Sequence, residues 1–309
     1  MAQIVITEFM DDEAVRALAA RGQVLYRPDL VDQPEALAAA LEDCQALIVR
    51  NRTQVRGALL AQAPKLELVG RLGVGLDNID LEACKARKIA VYPATGANDD
   101  AVAEYVACAT LSLLRRGFLR SVEVAAGLWP REAMIGREIS GRRAGMVGFG
   151  GTARQAAARL AALGMRIAAY DPLLPEGHAA WGTAQRMSLE DLFASCDVVS
   201  LHVPLTPQTR HMIDAGKLAL MQSHAVLINA ARGGVVDEAA LVAALKAGAL
   251  GGAALDVFEH EPLDGPHGAL FAGVPNLILT PHIAGVTMES NVRVSGKIAE
   301  IVLNALKIG

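Results

Sequence analysis

The sequence predicts an α/β protein made of two parallel-sheet domains with a cleft between them. Three observations lead there. At 309 residues the chain is too long for one ordinary core. It is 52% hydrophobic and 20% charged, which excludes disorder and supports large buried cores. Short aliphatic runs alternate with helical spacing twice along its length, the pattern of parallel sheets covered by helices on both faces.

The first series has brief β-branched or aliphatic runs at residues 3–7, 46–49, 66–70 and 89–91, each a predicted strand. Residues 13–20, 34–41 and 78–86 carry helical spacing between them. A long apolar stretch, 99–114, opens on Asp99-Asp100 and is followed by Arg115-Arg116. Acids at the start and bases at the end complement a helix dipole, so one long helix is expected to link the domains. Residues 117–141 are less regular, and Trp129-Pro130 within them suits an arm or an oligomer contact. The second series places strands at 145–149, 166–170, 198–201, 226–229, 253–257 and 277–279, with helices between them, notably 152–163 and 238–247. Six strands so connected match a complete dinucleotide-binding sheet. The last helix, about 289–306, comes after that sheet is finished and is expected to pack back on the first domain.

Bulk properties exclude several classes. A net charge of −4 without a Lys/Arg stripe argues against nucleic acid. Four scattered cysteines with no C-x-x-C fit a reducing compartment, and no metal site is expected. No apolar run approaches the ~20 residues of a membrane span. The N-terminus reads as a strand cut short by Glu8 rather than a signal peptide, so a cytoplasmic location is expected.

Gly148-Phe-Gly150-Gly151-Thr152-Ala153 has the form G-x-G-x-x-A between a strand and a helix. The first glycine permits the tight turn and the second lets a pyrophosphate approach the backbone. Ala153 allows close helix–strand packing. Helix-terminal N–H groups then face the phosphates. Asp171 ends the next strand, placed to accept hydrogen bonds from ribose hydroxyls and to repel a 2′-phosphate, which favours NAD over NADP. A turn residue before Pro172 is the plainer reading of the same aspartate.

Three polar groups follow successive strands: Arg232, Glu261 and His282. An imidazole suits the proton shuttle that oxidation of a 2-hydroxy acid demands. Glu261 could accept a hydrogen bond from it and fix its tautomer. Arg232 offers a planar fork for a carboxylate and a carbonyl oxygen. Singly, each has a bland alternative: a solvated loop histidine, a strand cap, an exposed turn. Their joint appearance at three strand ends argues against coincidence.

These segments, with Gly73-Val74-Gly75-Leu-Asp77-Asn-Ile-Asp80, resemble the D-isomer-specific 2-hydroxyacid dehydrogenases, the family that includes phosphoglycerate dehydrogenase. The resemblance spans nearly the whole chain. It implies two Rossmann-like or flavodoxin-like domains, with residues 1–97 plus 287–309 binding substrate and 98–286 binding NAD. It implies catalysis by Arg232, Glu261 and His282, and contact of Asp256 with the nicotinamide carboxamide. With the glycine turn it assigns NAD contacts to Gly148, Gly150, Gly151, Thr152, Asp171, Ala230, Arg232, Asp256, His282 and Gly285. Substrate contacts fall on Arg50, Arg71, Leu72, Gly73, Val74, Arg232 and His282. A homodimer is implied, with residues 117–141 suited to embracing a partner. Two departures stand out: Ala153 replaces the last glycine, and Asp99-Asp100-Ala101 replaces the usual Thr-x-Ser, which puts side-chain contacts there in doubt. With the sequence ending at Gly309, the regulatory extension of some phosphoglycerate dehydrogenases is not expected.

The substrate is expected to be a small anionic 2-hydroxy or 2-keto acid. Arg50 and Arg52 follow a first-domain strand and Arg71 precedes the glycine-containing turn, which suggests a second anionic group. Several segments, Val49-Arg-Asn-Arg-Thr53 among them, resemble the sulfolactate-oxidising branch of the family. Phosphoglycerate and glyoxylate or hydroxypyruvate remain alternatives. Formate dehydrogenases call for glutamine where Glu261 stands. An NADH-sensing binding protein of the corepressor type is the reading from another class, and the sequence shows no added peptide-binding region for it.

Overall fold

The computed structural model of the chain describes residues 3–118 and 120–307. They form two compact units, Met1–Asn98 with Val286–Gly309, and Asp99–Gly285.

The first unit runs β1 (Gln3–Ile6), α1 (Asp12–Ala19), β2 (Gln23–Tyr26), α2 (Pro34–Leu41), β3 (Cys44–Val49), α3 (Gly57–Ala61), β4 (Leu68–Arg71), α4 (Leu81–Ala86) and β5 (Ala90–Pro93). Its five strands are parallel in the order β2-β1-β3-β4-β5. Both faces are covered, and β1 shows how: Ile4 and Ile6 enter one core while Val5, pointing the other way, enters the second. Helix starts follow local chemistry. Asp11 accepts the Glu13 N–H at α1, Asp80 accepts the Ala83 N–H at α4, and Pro34 occupies the first turn of α2. Strand β2 and helix α3 lie outside the sequence expectation. Gln23–Tyr26 is a half-exposed edge strand and Gly57–Ala61 is five residues long, too short to show a period.

The second unit runs α5 (Asp99–Arg115), α6 (Ser121–Ala125), β6 (Arg143–Val147), α7 (Gly151–Ala162), β7 (Arg166–Tyr170), β8 (Gln185–Arg186), α8 (Leu189–Ser195), β9 (Val198–Leu201), α9 (Ala215–Leu220), β10 (Val226–Asn229), α10 (Glu238–Lys246), β11 (Gly252–Leu255), α11 (Gly265–Gly268) and β12 (Leu277–Leu279). The sheet has seven parallel strands, ordered β12-β11-β10-β9-β6-β7-β8. The seventh is the two-residue β8, which extends the edge beyond β7 and is too brief to read from sequence. Met146 and Ile228 pack on the face that holds α5 and α7, while Val147 and Leu227 pack on the face that holds α8 and α10.

The chain then returns to the first unit as α12 (Met288–Ala305). Thr287 and Ser290 close a reciprocal capping box at its start. Val294, Ile298 and Val302 recur every four residues and bury against Ile4, Ile48 and Leu68. Among the described residues, no helix is long and apolar enough to cross a membrane.

Candidate active site

In a doubly wound sheet the ligand crevice opens where strand order reverses, at the strand carboxyl ends. In the second unit this point lies between β6 and β9. Gly148 leaves β6 there with φ +84°, and a Cβ on it would stand 2.7 Å from the His202 carbonyl oxygen, so only glycine makes this turn. Gly150 has nothing within 4 Å of where a Cβ would be. It opens the 12-residue α7 without a side-chain cap, which leaves first-turn N–H groups to an anion. Asp171 ties the crevice together: its carboxylate accepts the Phe149 N–H at 2.8 Å and the Leu173 N–H at 2.9 Å. The turn reading and the ribose reading of Asp171 are thus compatible, since carboxylate oxygens keep further lone pairs. The open space at Gly150, the uncapped helix start and the acid at the end of β7 fit a dinucleotide.

The acidic departure beside this turn makes definite contacts. Asp99 accepts the Thr152 hydroxyl at 2.6 Å, and Asp100 pairs with Arg159 at 2.7 Å. Both bonds join α5 to α7. The sequence shows the acids, but only the fold shows that α5 lies against the glycine turn.

Arg232, Glu261 and His282 follow β10, β11 and β12, three adjacent strands. Asn229, buried at the end of β10, folds the first turn on itself: its Oδ1 accepts the Ala231 N–H and its Nδ2 donates to the Arg232 carbonyl. Gly233 passes so close to the next loop that a Cβ would fall 1.7 Å from the Phe258 carbonyl oxygen. Glu261 accepts the Phe258 N–H through Oε1 at 3.0 Å, and its Oε2 stands 2.7 Å from Nδ1 of His282. Burial pushes the Glu261 carboxyl up. The His282 hydrogen bond, the Phe258 N–H and the charges of His282 and Arg232 outweigh it and hold the group below the usual carboxylate range.

His282 has φ +54°, a left-handed backbone that a non-glycine residue adopts only under constraint. Asp256 supplies the constraint. It is 1% exposed, and its carboxylate accepts the Thr280 hydroxyl at 2.6 Å and the N–H groups of Ile283 and Ala284, both at 2.8 Å. The Asp256 carbonyl accepts the His282 N–H. Tyr105 of α5 lies 2.8 Å from the Thr280 hydroxyl. Asn229, Thr280 and Tyr105 are therefore supporting residues that sequence reasoning passed over; Asn229 and Thr280 stood inside the motifs, and Tyr105 carried no local signal. Ala230 lies in the Arg232 turn and Gly285 closes the His282 turn.

In the first unit the switch point lies between β1 and β3, and a buried carboxylate fills it. Glu8 accepts N–H bonds from Arg50 and Thr53 through Oε1 and from Asn51 and Arg52 through Oε2, at 2.8 to 3.2 Å. Burial pushes Glu8 up, and these backbone bonds more than reverse it. The Arg50 guanidinium donates to Asn291 of α12 at 2.5 Å and lies over the Phe9 ring. Register pairs Val49 with Arg71, so Arg50 and Arg71 leave neighbouring strand ends. The Arg71 side chain donates to the Leu72 carbonyl and covers Gly73; Leu72 is buried and Val74 exposed. Arg52 departs from this group: it is exposed and paired with Asp32.

Residues 107–284 match the D-isomer specific 2-hydroxyacid dehydrogenase NAD binding domain. The chain is 50% identical to an (S)-sulfolactate dehydrogenase of Chromohalobacter salexigens, covering 100% of this chain and 99% of that one. It is 38% identical to a D-3-phosphoglycerate dehydrogenase of Mycobacterium leprae, covering 98% of this chain but only 56% of that enzyme. Among solved structures, D-lactate dehydrogenase from Aquifex aeolicus, complexed with NAD and lactic acid, superposes with a TM-score of 0.87 at 27% identity, covering 99% and 95% of the two chains. The chain belongs to the D-isomer specific 2-hydroxyacid dehydrogenases and is an NAD-dependent oxidoreductase acting on CH–OH donors.

Proposed function

We propose that the enzyme interconverts (S)-3-sulfolactate and sulfopyruvate. The observation that carries this choice is the 50% identity, end to end on both chains, with a protein named for that reaction. The Glu8-clamped Arg50 turn supports it, because a sulfonate is a second anion that a preformed guanidinium site would receive.

Arg232, Glu261 and His282 are the proposed catalytic groups. With the Glu261 carboxylate at Nδ1, the imidazole carries its proton there and leaves Nε2 to take the substrate hydroxyl proton. Arg232 anchors the substrate carboxylate and stabilises negative charge developing on the reacting oxygen. Asp256 acts by pinning the turn that presents His282, in addition to the carboxamide contact implied by resemblance. Gly148, Gly150, Gly151 and Thr152 would cradle the NAD pyrophosphate, Asp171 the ribose, and Ala230 and Gly285 the remainder. When bound, NAD supplies the hydride acceptor. In the first unit, Arg50, Arg71 and the backbone at Leu72, Gly73 and Val74 are the proposed anion contacts.

The enzyme is also proposed to be a cytoplasmic homodimer. Phe118, Val122, Trp129 and Ile135 are 68–83% exposed within one short segment, apolar surface of the kind that marks a protein interface. Sedimentation of Trp129→Glu as a monomer, against a dimeric wild type, checks this.

Steady-state reduction of sulfopyruvate, phosphohydroxypyruvate, hydroxypyruvate and glyoxylate with NADH tests the substrate. The highest kcat/KM is expected for sulfopyruvate, and Arg50→Ala should lower it chiefly through KM. A higher value for any of the other three rejects the choice.

A further inference from the structure

Among the described residues, one cluster of ligating side chains lies outside the proposed catalytic set. His260, Asp264 and His267 bring three donor atoms to within 4.8 Å of one another on the exposed loop that follows β11. The local sequence builds this directly. Asp264 caps the short helix α11 by accepting the His267 N–H at 3.0 Å, and that turn carries the His267 ring back over the cap. Nδ1 of His267 stands 2.6 Å from one Asp264 oxygen, and Nε2 of His260 3.6 Å from the other. The two imidazoles are stacked with centroids 3.8 Å apart and planes 16° from parallel.

We propose that His260, Asp264 and His267 form a binding site for a divalent first-row transition metal of the zinc type. Two imidazole nitrogens and one carboxylate oxygen are the donor set that zinc, cobalt and nickel take. Calcium and magnesium require shells of oxygen. Zinc held by three protein donors completes a tetrahedron with water, at bonds of about 2.0–2.2 Å. The ion replaces any proton an imidazole carries, and neither ligand nor metal changes oxidation state.

The position gives the site a consequence. His260 directly precedes Glu261, and the same loop supplies the Phe258 N–H that Glu261 accepts. A metal bound across His260, Asp264 and His267 would tie this loop to α11 and stabilise the segment that presents Glu261. The ion would lie on the orienting loop rather than among the groups proposed to touch substrate, so its role is to brace that loop.

The test uses full-length, tag-free protein stripped with a chelator, titrated calorimetrically with ZnCl2 and, separately, followed by visible absorption with CoCl2. One equivalent of Zn2+ per chain is expected, with Co2+ giving the intense bands of a low-coordinate site and the melting temperature rising with Zn2+. His260→Ala and His267→Ala should each weaken binding at least about tenfold, the cost of disturbing even an outer partner of a metal ligand. Both side chains are half-exposed, so circular dichroism and NADH binding should be unchanged and certify the fold. Absence of stoichiometric binding overturns the proposal. So does binding that survives both substitutions, or that is lost only in His282→Ala or Cys108→Ala, which would place the ion elsewhere.

Discussion

Nδ1 of His282 lies 2.7 Å from Oε2 of Glu261, on a histidine whose backbone is held at φ +54°. The residue is held at two points: Asp256 fixes the backbone of its turn, and Glu261 holds the imidazole. His282→Ala should therefore lower kcat by about 10²–10⁴, the usual contribution of a placed acid–base group. Glu261→Gln should lower it less, because an amide still orients the ring but carries no charge. NADH binding, followed by fluorescence quenching, should persist in both. Turnover within threefold of wild type in His282→Ala would remove the histidine from the mechanism.

The nucleotide turn permits a test in which fold and binding separate. Gly150→Ala meets no protein atom within 4 Å and keeps an allowed backbone, φ −71° and ψ −167°, so thermal stability should hold. The added methyl would occupy the space proposed for the pyrophosphate, and the Kd for NADH should rise at least about tenfold, roughly 1.4 kcal/mol. Asp171→Ala should instead act on selectivity and narrow the preference for NAD over NADP. An NADH Kd unchanged in Gly150→Ala would show that the phosphates bind elsewhere.

How much of this was legible in the sequence depends on how local the cause is. The turn glycines and the three polar groups at strand ends are set by neighbours a few residues away. Two things were not legible. Edge strands β2 and β8 are too short or too exposed to carry a period, and they form because a longer neighbour offers its edge. Contacts across long separations were hidden as well. Asp99 on Thr152, Tyr105 beside Thr280 and Arg50 on Asn291 each require the folded unit. The pairing of Arg52 with Asp32, twenty residues upstream, was hidden for the same reason.

Gly233 lets the Arg232 and Glu261 loops approach each other. A Cβ there would overlap the Phe258 backbone, which cannot rotate away as a side chain could. Gly233→Ala should cost about 1–3 kcal/mol by overpacking and shift both of the side chains proposed as catalytic, Arg232 and Glu261. The expected signature is a loss of kcat/KM larger than the loss of stability explains, measured by turnover at 25 °C beside urea unfolding. Full activity in this variant would mean the two loops need not meet.

Glu8 links the stability of the first unit to pH. Glu8 is 5% exposed, and its carboxylate accepts four backbone N–H groups, which hold its pKa below the usual glutamate range despite burial. A depressed carboxyl binds its proton less readily folded than unfolded. Its contribution is therefore fully present above the unfolded value of about 4.3 and is lost as pH falls below it toward the folded value. Glu8→Gln keeps one acceptor oxygen and turns an NH2 against N–H donors, leaving buried groups unpaired at about 1–3 kcal/mol. Urea unfolding from pH 7 downward should show that deficit at neutral pH and a shrinking difference from wild type in acid. The same variant should raise KM for the anionic substrate, since the turn carrying Arg50 loses its clamp. A wild-type-minus-variant difference that stays constant through acid would mean the Glu8 charge contributes nothing to holding the turn.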